Sequence, residues 1–260
     1  MLKRALRQAG RARQALSTAG IYRNLDHSLL LYSELPQGAR ELIAPLLPYS
    51  KAQLAQDLFA VAFANTNSPK FFVEFGATDG VSWSNTWLLE KKLGWNGILA
   101  EPAKIWHNQL EANRNCIIDT KCVSRKSGNK LRFLEVANTD GGSAELSSIK
   151  EFANRGDWAS KIRLSNSKEY EVETISLNDL LDKHNAPNDI QFLSLDTEGS
   201  ELDILEGYDF KKRIIRSICV EHAYVERSRK AINALLLKEG YIQVLERVSK
   251  FDDWYVLKQN

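Results

Sequence analysis

The chain has 260 residues, of which 43% are hydrophobic and 26% charged. That is the make-up of an ordinary globular protein rather than a disordered, collagenous or repeat one. A net charge of +2 argues against the strongly basic surface of a nucleic-acid binder, and no apolar run approaches the roughly 18 residues of a membrane-spanning helix.

The first stretch is basic. Lys3, Arg4, Arg7, Arg11, Arg13 and Arg23 all precede the first acid, Asp26. It lacks the apolar core of a secretory signal and reads as a solvated arm. A weak contact with an anionic membrane surface or partner is the sharper alternative. Residues 1–68 read as a helical extension: "PQGARELIAPLLP" is bounded by prolines, and "SKAQLAQDLFAVAFANT" opens on a serine cap. The break at Asn65–Pro69 separates it from a domain over 69–260.

From there strands and helices alternate. "KFFVEF" predicts a buried strand ending in a glycine loop, "SNTWLLEKKLG" a helix, and "WNGILAEP" a second strand. "AKIWHNQLEANRN" is a helix and "CIIDTKCVS" a third strand. "KLRFLEV" and "KEYEVETISL" are extra strands flanking an irregular middle. "DIQFLSLD" and "RSICVEHA" are the fourth and fifth core strands, each followed by a helix. "YIQVLERVSKFDDWYVLK" closes the chain as an antiparallel hairpin with a tight polar turn. Such alternation predicts an α/β domain with a mostly parallel sheet covered on both faces, and a ligand at the carboxyl ends of the strands. The cysteines, Cys116, Cys122 and Cys219, have no metal spacing and read as buried thiols of a reducing compartment, so the protein is expected in the cytoplasm.

The glycine loop, "VEFGATDGVSW", carries Gly76 and Gly80 but lacks the third glycine of a dinucleotide site. Glu74 and Asp79 give it a negative charge that suits a sulfonium or an amino group better than a pyrophosphate. Glu101 ends the second strand about 20 residues later, where ribose hydroxyls are gripped.

The segments "VEFGATDGVSW", "GILAEP", "LSLDTEGSELDILEG" and "CVEHA", in that order, resemble the FkbM family of S-adenosylmethionine-dependent methyltransferases, over Phe71 to Asn260. The resemblance implies a Rossmann-like fold, a seven-stranded sheet with an antiparallel last strand, and methylation of hydroxyls on sugars, polyketides or related small molecules. It implies that Glu74, Gly76, Ala77, Thr78 and Gly80 line the methionine part of S-adenosylmethionine. Glu101 then takes the ribose, and the third strand, Asp119 with Cys122, flanks the adenine. Ala77-Thr78 stands where Ala-Asn is commoner, a change that keeps the turn.

A sugar hydroxyl does not ionise unaided at pH 7, so its methylation calls for a base, a polarising cation or both. Asp196 and Glu198 end the fourth strand; Glu221 and His222 end the fifth. The pattern is similar to the metal-dependent sugar O-methyltransferases of the macrocin type. On that likeness Asp196, Glu221 and His222 hold Mg²⁺ or Mn²⁺, and Glu198, or after it His222, is the base. Glu201, Asp203 and Glu206 read as a helix start with a solvated face. His107 and His184 read as surface residues. The irregular middle is long enough to be a lid, hinged at Gly141, Gly142 and Ser143, with Trp158 stacking on a sugar. The expected acceptor is a glycan or small molecule, and the extension is an expected packing surface for an oligomer. The competing readings are an N-methyltransferase acting on a small amine, a nicotinamide-dependent oxidoreductase, a nucleic-acid methyltransferase and a non-catalytic binding module.

Overall fold

The computed structural model describes residues 27–65, 67–137 and 143–258. The basic residues Lys3 to Arg23 and the hinge glycines Gly141 and Gly142 lie outside them. The extension contributes α1 (27–34), α2 (Gln37–Ile43) and α3 (Gln56–Ala62). Then follow β1 (Phe71–Phe75), α4 (Trp87–Lys91), β2 (Asn96–Ala100), α5 (His107–Asn113), β3 (Ile117–Asp119), β4 (Cys122–Val123), β5 (Lys130–Val136) and β6 (Ser148–Ile149). The second half holds α6 (Ser160–Ser165), β7 (Ser167–Ile175), α7 (Leu177–Lys183), β8 (Asp189–Leu195), α8 (Glu201–Glu206), β9 (Ile214–Glu221), α9 (Glu226–Lys238), β10 (Tyr241–Val244), α10 (Glu246–Ser249) and β11 (Asp252–Leu257). None of the described helices is long and apolar enough to cross a membrane.

Seven strands form one sheet in the order β10-β11-β9-β8-β1-β2-β3. The pairs among β9, β8, β1, β2 and β3 are parallel; β11 runs antiparallel between β9 and β10. This is the mixed, mostly parallel sheet expected, and its antiparallel member is the last strand. The expected tight polar turn of the terminal hairpin is instead the short helix α10, entered through Leu245 and left through Lys250, both at positive φ.

Alternation along β1 explains the two faces of the sheet. Phe71, Val73 and Phe75 join a core with Leu180, Ile204 and Ile232, from α7, α8 and α9. Phe72 points the other way, into a core with Leu31, Leu58, Phe59, Leu88 and Trp254. The extension therefore shares a core with the sheet, and α1, α2 and α3 cover that face. Asp57, fully buried, pins the turn before α3 by accepting hydrogen bonds from Ser50 Oγ (2.6 Å), Lys51 N (3.0 Å) and Leu58 N (2.8 Å).

The expected third strand is two. β3 pairs with β2 in the main sheet, whereas β4 leaves it and pairs with β7. The chain breaks between them because Asp119 Oδ1 accepts the Lys121 N–H at 3.0 Å, closing a turn. β4, β7, β5 and β6 form a second sheet over the strand ends of the first.

Candidate active site

Register brings the site together. Phe75 pairs with Ala100 on one side and Leu195 on the other, and Leu195 pairs with Val220. The next residues, Gly76, Glu101, Asp196 and Glu221, therefore stand in one row at the carboxyl ends of four adjacent strands. They line a cavity of about 400 Å³ roofed by the second sheet through Cys122, Val123, Phe133 and Ile149.

Gly76 has φ +79°, and a Cβ there would lie 1.9 Å from the Asp196 carbonyl oxygen. The two strand ends touch through backbone only because this residue is glycine. Past it, Asp79 closes the turn by accepting from Val81 N (2.8 Å) and Ser82 N (2.7 Å). Glu74 is buried and accepts from Asn85 N (2.7 Å) and Thr86 Oγ1 (2.5 Å). Arg114, fully buried at the end of α5, stands 3.8 Å from Glu74 and donates to Gly80 O and Thr86 Oγ1. Arg114 therefore offsets part of the loop's negative charge, although its closest pair is Glu90 (2.6 Å) and Glu74 still lines the cavity.

Glu101 is held by two backbone donors, Ala103 N to Oε1 (2.8 Å) and Thr78 N to Oε2 (2.9 Å). Burial pushes its carboxyl up to about 7. Two cavity-lining side chains keep a buried polar atom without a partner among the described residues: Trp106 Nε1 at the apolar end and Asn85 Oδ1 at the acidic end.

At that acidic end, one oxygen from each of Asp196, Glu198 and Glu221 lies within 4.8 Å of the others. Two arginines from the irregular middle compensate them. Arg155 Nη2 donates to Glu198 (2.7 Å) and Glu221 (3.0 Å), and its Nε donates to Asp157 (2.7 Å). Arg163, fully buried at α6, pairs with Glu198 and donates to both oxygens of Asp157 (2.8 Å each). Against the cost of burial, these donors and Ser160 hold Asp157 below the usual carboxylate range. The Asp196 carboxylate has no partner among the described residues. Removal from bulk water and the charge of Glu198 raise it well above the ordinary range. Glu221 is raised likewise, by burial and by Asp196.

Residues 74–243 match the model of the methyltransferase FkbM domain. The chain belongs to that family. It is a methyltransferase. No curated protein matches the sequence. Among solved structures, precorrin-6y C5,15-methyltransferase from Geobacter metallireducens GS-15 is similar over 78% of this chain and 87% of its own, at 10% identity and a TM-score of 0.38.

Within this FkbM domain the structure gathers Glu74, Gly76, Thr78, Glu101, Cys122, Asp196, Glu198 and Glu221 around the cavity. Ala77 and Gly80 shape the loop without lining it. Asp119 is a correction. Its Oδ2 pairs with Lys183 Nζ (2.7 Å) and His184 Nε2 (2.8 Å), away from the cavity. His184 is therefore a buttress of β3. His107 similarly holds the Glu101 carbonyl at 2.9 Å.

His222 is the second correction, as base and as ligand. Its Nδ1 accepts the Tyr224 N–H at 3.0 Å, and its Nε2 faces Asp253 at 3.6 Å rather than the three carboxylates. It shapes a left-handed turn, Ala223-Tyr224, whose Tyr224 lines the cavity. Glu198 lines the cavity as expected, with both arginines holding its carboxylate. Glu201 is buried, and its Oε1 accepts from Thr197 N and Gly199 N, which fixes the strand-to-helix turn. Asp203 and Glu206 tie to Arg125 instead. Arg155, Arg163 and Tyr224 were not legible as site residues. The unbalanced acids required cations, but nothing in the spacing said which ones.

Proposed function

We propose that this methyltransferase uses S-adenosylmethionine to methylate a sugar hydroxyl on a glycan or small molecule. The cavity's polar groups fit that donor in order. The unpartnered Trp106 N–H is a donor for an adenine nitrogen in an apolar end of Pro102, Cys122, Val123 and Phe133. Glu101, fixed by two backbone amides, offers its remaining lone pairs to a ribose diol. Asn85 Oδ1 is an acceptor for the methionine ammonium. When bound, the donor supplies an electrophilic methyl group on a sulfonium.

The observation that carries the catalytic reading is the state of Asp196. All three carboxyls of the cluster are raised by burial, but Glu198 and Glu221 are held by Arg155, whereas the Asp196 carboxylate, at the cavity floor, has no partner among the described residues. Asp196 is thus the carboxylate positioned to take the acceptor's proton, and its raised basicity favours that transfer. The three carboxylates have the spacing of a divalent site, but the Arg155 guanidinium already bridges two of them. A metal ion would have to replace it against like-charge repulsion, so the donor set does not fit a metal with Arg155 in place.

Titration calorimetry with S-adenosylhomocysteine tests the reading. Binding by the wild type, lost in Glu101→Ala, supports it. Failure of the wild type to bind, with binding of NADH instead, would sink it.

A further inference from the structure

The charge of the cavity wall speaks to the acceptor. Six lining residues are acids: Glu74, Glu101, Glu145, Asp196, Glu198 and Glu221. No lysine, arginine or histidine lines it among the described residues. Arg155 and Arg163, although close, are turned into the carboxylates: Arg155 Nε and Nη2 and Arg163 Nη1 and Nη2 donate to Asp157, Glu198 or Glu221, and Arg163 Nε donates to the Leu146 carbonyl. An anion entering this space would find no free cationic partner, and would have to displace a carboxylate to reach Arg155 or Arg163.

The mouth is built otherwise. Trp83, Trp158 and Tyr224 line it and are 45%, 76% and 69% exposed. Exposed aromatics that converge on one opening are costly to leave in water and offer flat faces to a ligand. Beside them stands Gln53, from the segment that precedes the FkbM match. Ala52 forms a parallel bridge with Trp83, and the buried Asp57 anchors this turn. The mouth therefore presents aromatic faces and a neutral amide, and the floor presents carboxylates.

We infer that the methylated residue is a sugar without phosphate, sulfate or carboxylate, a neutral or aminated pyranoside, selected by the acidic floor and the Gln53–Trp83–Trp158–Tyr224 mouth. This rests on the methyltransferase reading proposed above. It excludes sugar phosphates and uronates as the acceptor ring.

Saturation-transfer NMR on the full chain loaded with S-adenosylhomocysteine tests this at neutral pH, with four probes: methyl β-D-glucopyranoside, D-glucosamine, glucose 1-phosphate and D-glucuronate. Transfer to the first two, about tenfold above the anionic pair, is expected because an anion finds acids and no free cation there. Equal or stronger transfer to either anion overturns the inference, and so does transfer to none of the four. In Glu145→Lys, a change at an exposed lining position, the glucuronate signal should rise several-fold; no rise counts against the acidic wall as the selector. Loading is measured first by calorimetry. If the wild type does not bind S-adenosylhomocysteine, the parent reading falls and this one with it; if it binds and the probe pattern is wrong, only this inference fails.

Discussion

The Arg155 guanidinium lies 3.0 Å from the Glu221 carboxylate, which ties a segment outside the main sheet to the end of β9. The same nitrogen reaches Glu198 at 2.7 Å. Removing one partner of a buried pair leaves a charge uncompensated, at a cost of about 3–5 kcal/mol. Here the carboxylates relieve part of that by taking up protons. Arg155→Met is expected to lose about 3 kcal/mol in urea unfolding at pH 8, and less at pH 5, where protonation offsets the loss. Arg155→Lys should recover about half. An equal loss at both pH values would show that packing, not charge, is what Arg155 supplies.

Because Arg155 already bridges Glu198 and Glu221, a chelator should leave methyl transfer by the wild type within about twofold. An activity lost to EDTA and restored by Mg²⁺ or Mn²⁺ would instead place a metal on this cluster. The complementary case is Arg155→Met, in which the freed carboxylates, with spacing within 4.8 Å, should gain a Mn²⁺-dependent rise in melting temperature that the wild type lacks.

Asp196→Asn isolates the proposed base. Loss of one positioned base lowers kcat by roughly 10²–10⁴, while the affinity for S-adenosylhomocysteine should stay within about threefold. The sign of the pH dependence follows from the raised carboxyl. Asp196 acts when ionised, so kcat/KM should climb with pH through a limb displaced upward from the usual carboxylate range. That limb should vanish in the residual activity of the Asn variant. An unchanged kcat would move the proton to another acceptor.

The sequence allowed the frame to be read because its signals are local. "FFVEF", "FLSL" and "SICVE" are apolar runs bounded by a glycine or by acids, and a buried parallel strand reads that way. Their ends gave the row of Gly76, Glu101, Asp196 and Glu221. What stayed hidden depends on contacts distant in sequence. "CIIDTKCVS" is short enough to read as one strand despite its polar Asp-Thr-Lys, and only the pairing partners of Ile117 and Cys122, β2 for one and β7 for the other, divide it. His222 follows a strand end as a ligand would, but a left-handed turn at Ala223 rotates its ring toward Tyr224 N and Asp253. Arg155 and Arg163 sit in a stretch without periodicity, and their strand-end partners, Glu198 and Glu221, lie 35 to 66 positions away.

Gly76→Ala tests the contact between strand ends. The added Cβ would overlap the Asp196 carbonyl at 1.9 Å, and the backbone at φ +79° is strained for any residue with a Cβ. Backbone cannot rotate away as a side chain can. A loss of about 3 kcal/mol or more is expected, above the usual 1–3 kcal/mol of overpacking, together with loss of S-adenosylhomocysteine binding. Gly94→Ala is a control, since φ is +67° there and nothing lies within 4 Å. It carries the backbone strain without the clash. Equal losses in the two variants would mean that the contact with Asp196 contributes nothing.

Glu101 gives a prediction for the ligand-free protein. Its carboxyl is raised by burial from 4.5 to about 7, so the folded state binds its proton more tightly than the unfolded state does. Stability linked to a raised group is complete below the unfolded value and is lost as pH rises through the folded one. The window is therefore pH 4.5 to about 7, and stability falls across it. A shift of this size is worth about 3 kcal/mol at most, at 1.36 kcal/mol per unit. Glu101→Gln has no proton to lose there, yet can still accept from Thr78 N or Ala103 N. The buried Asp57 and Asp252, both raised to about 6, titrate in either protein and cancel in the comparison. Relative to the wild type, the Gln variant should thus gain stability from pH 4.5 to about 7, by up to about 3 kcal/mol in urea unfolding, and level off above it. Parallel stability curves would mean that Glu101 is ionised as readily in the folded protein as in the unfolded chain, and that water reaches it.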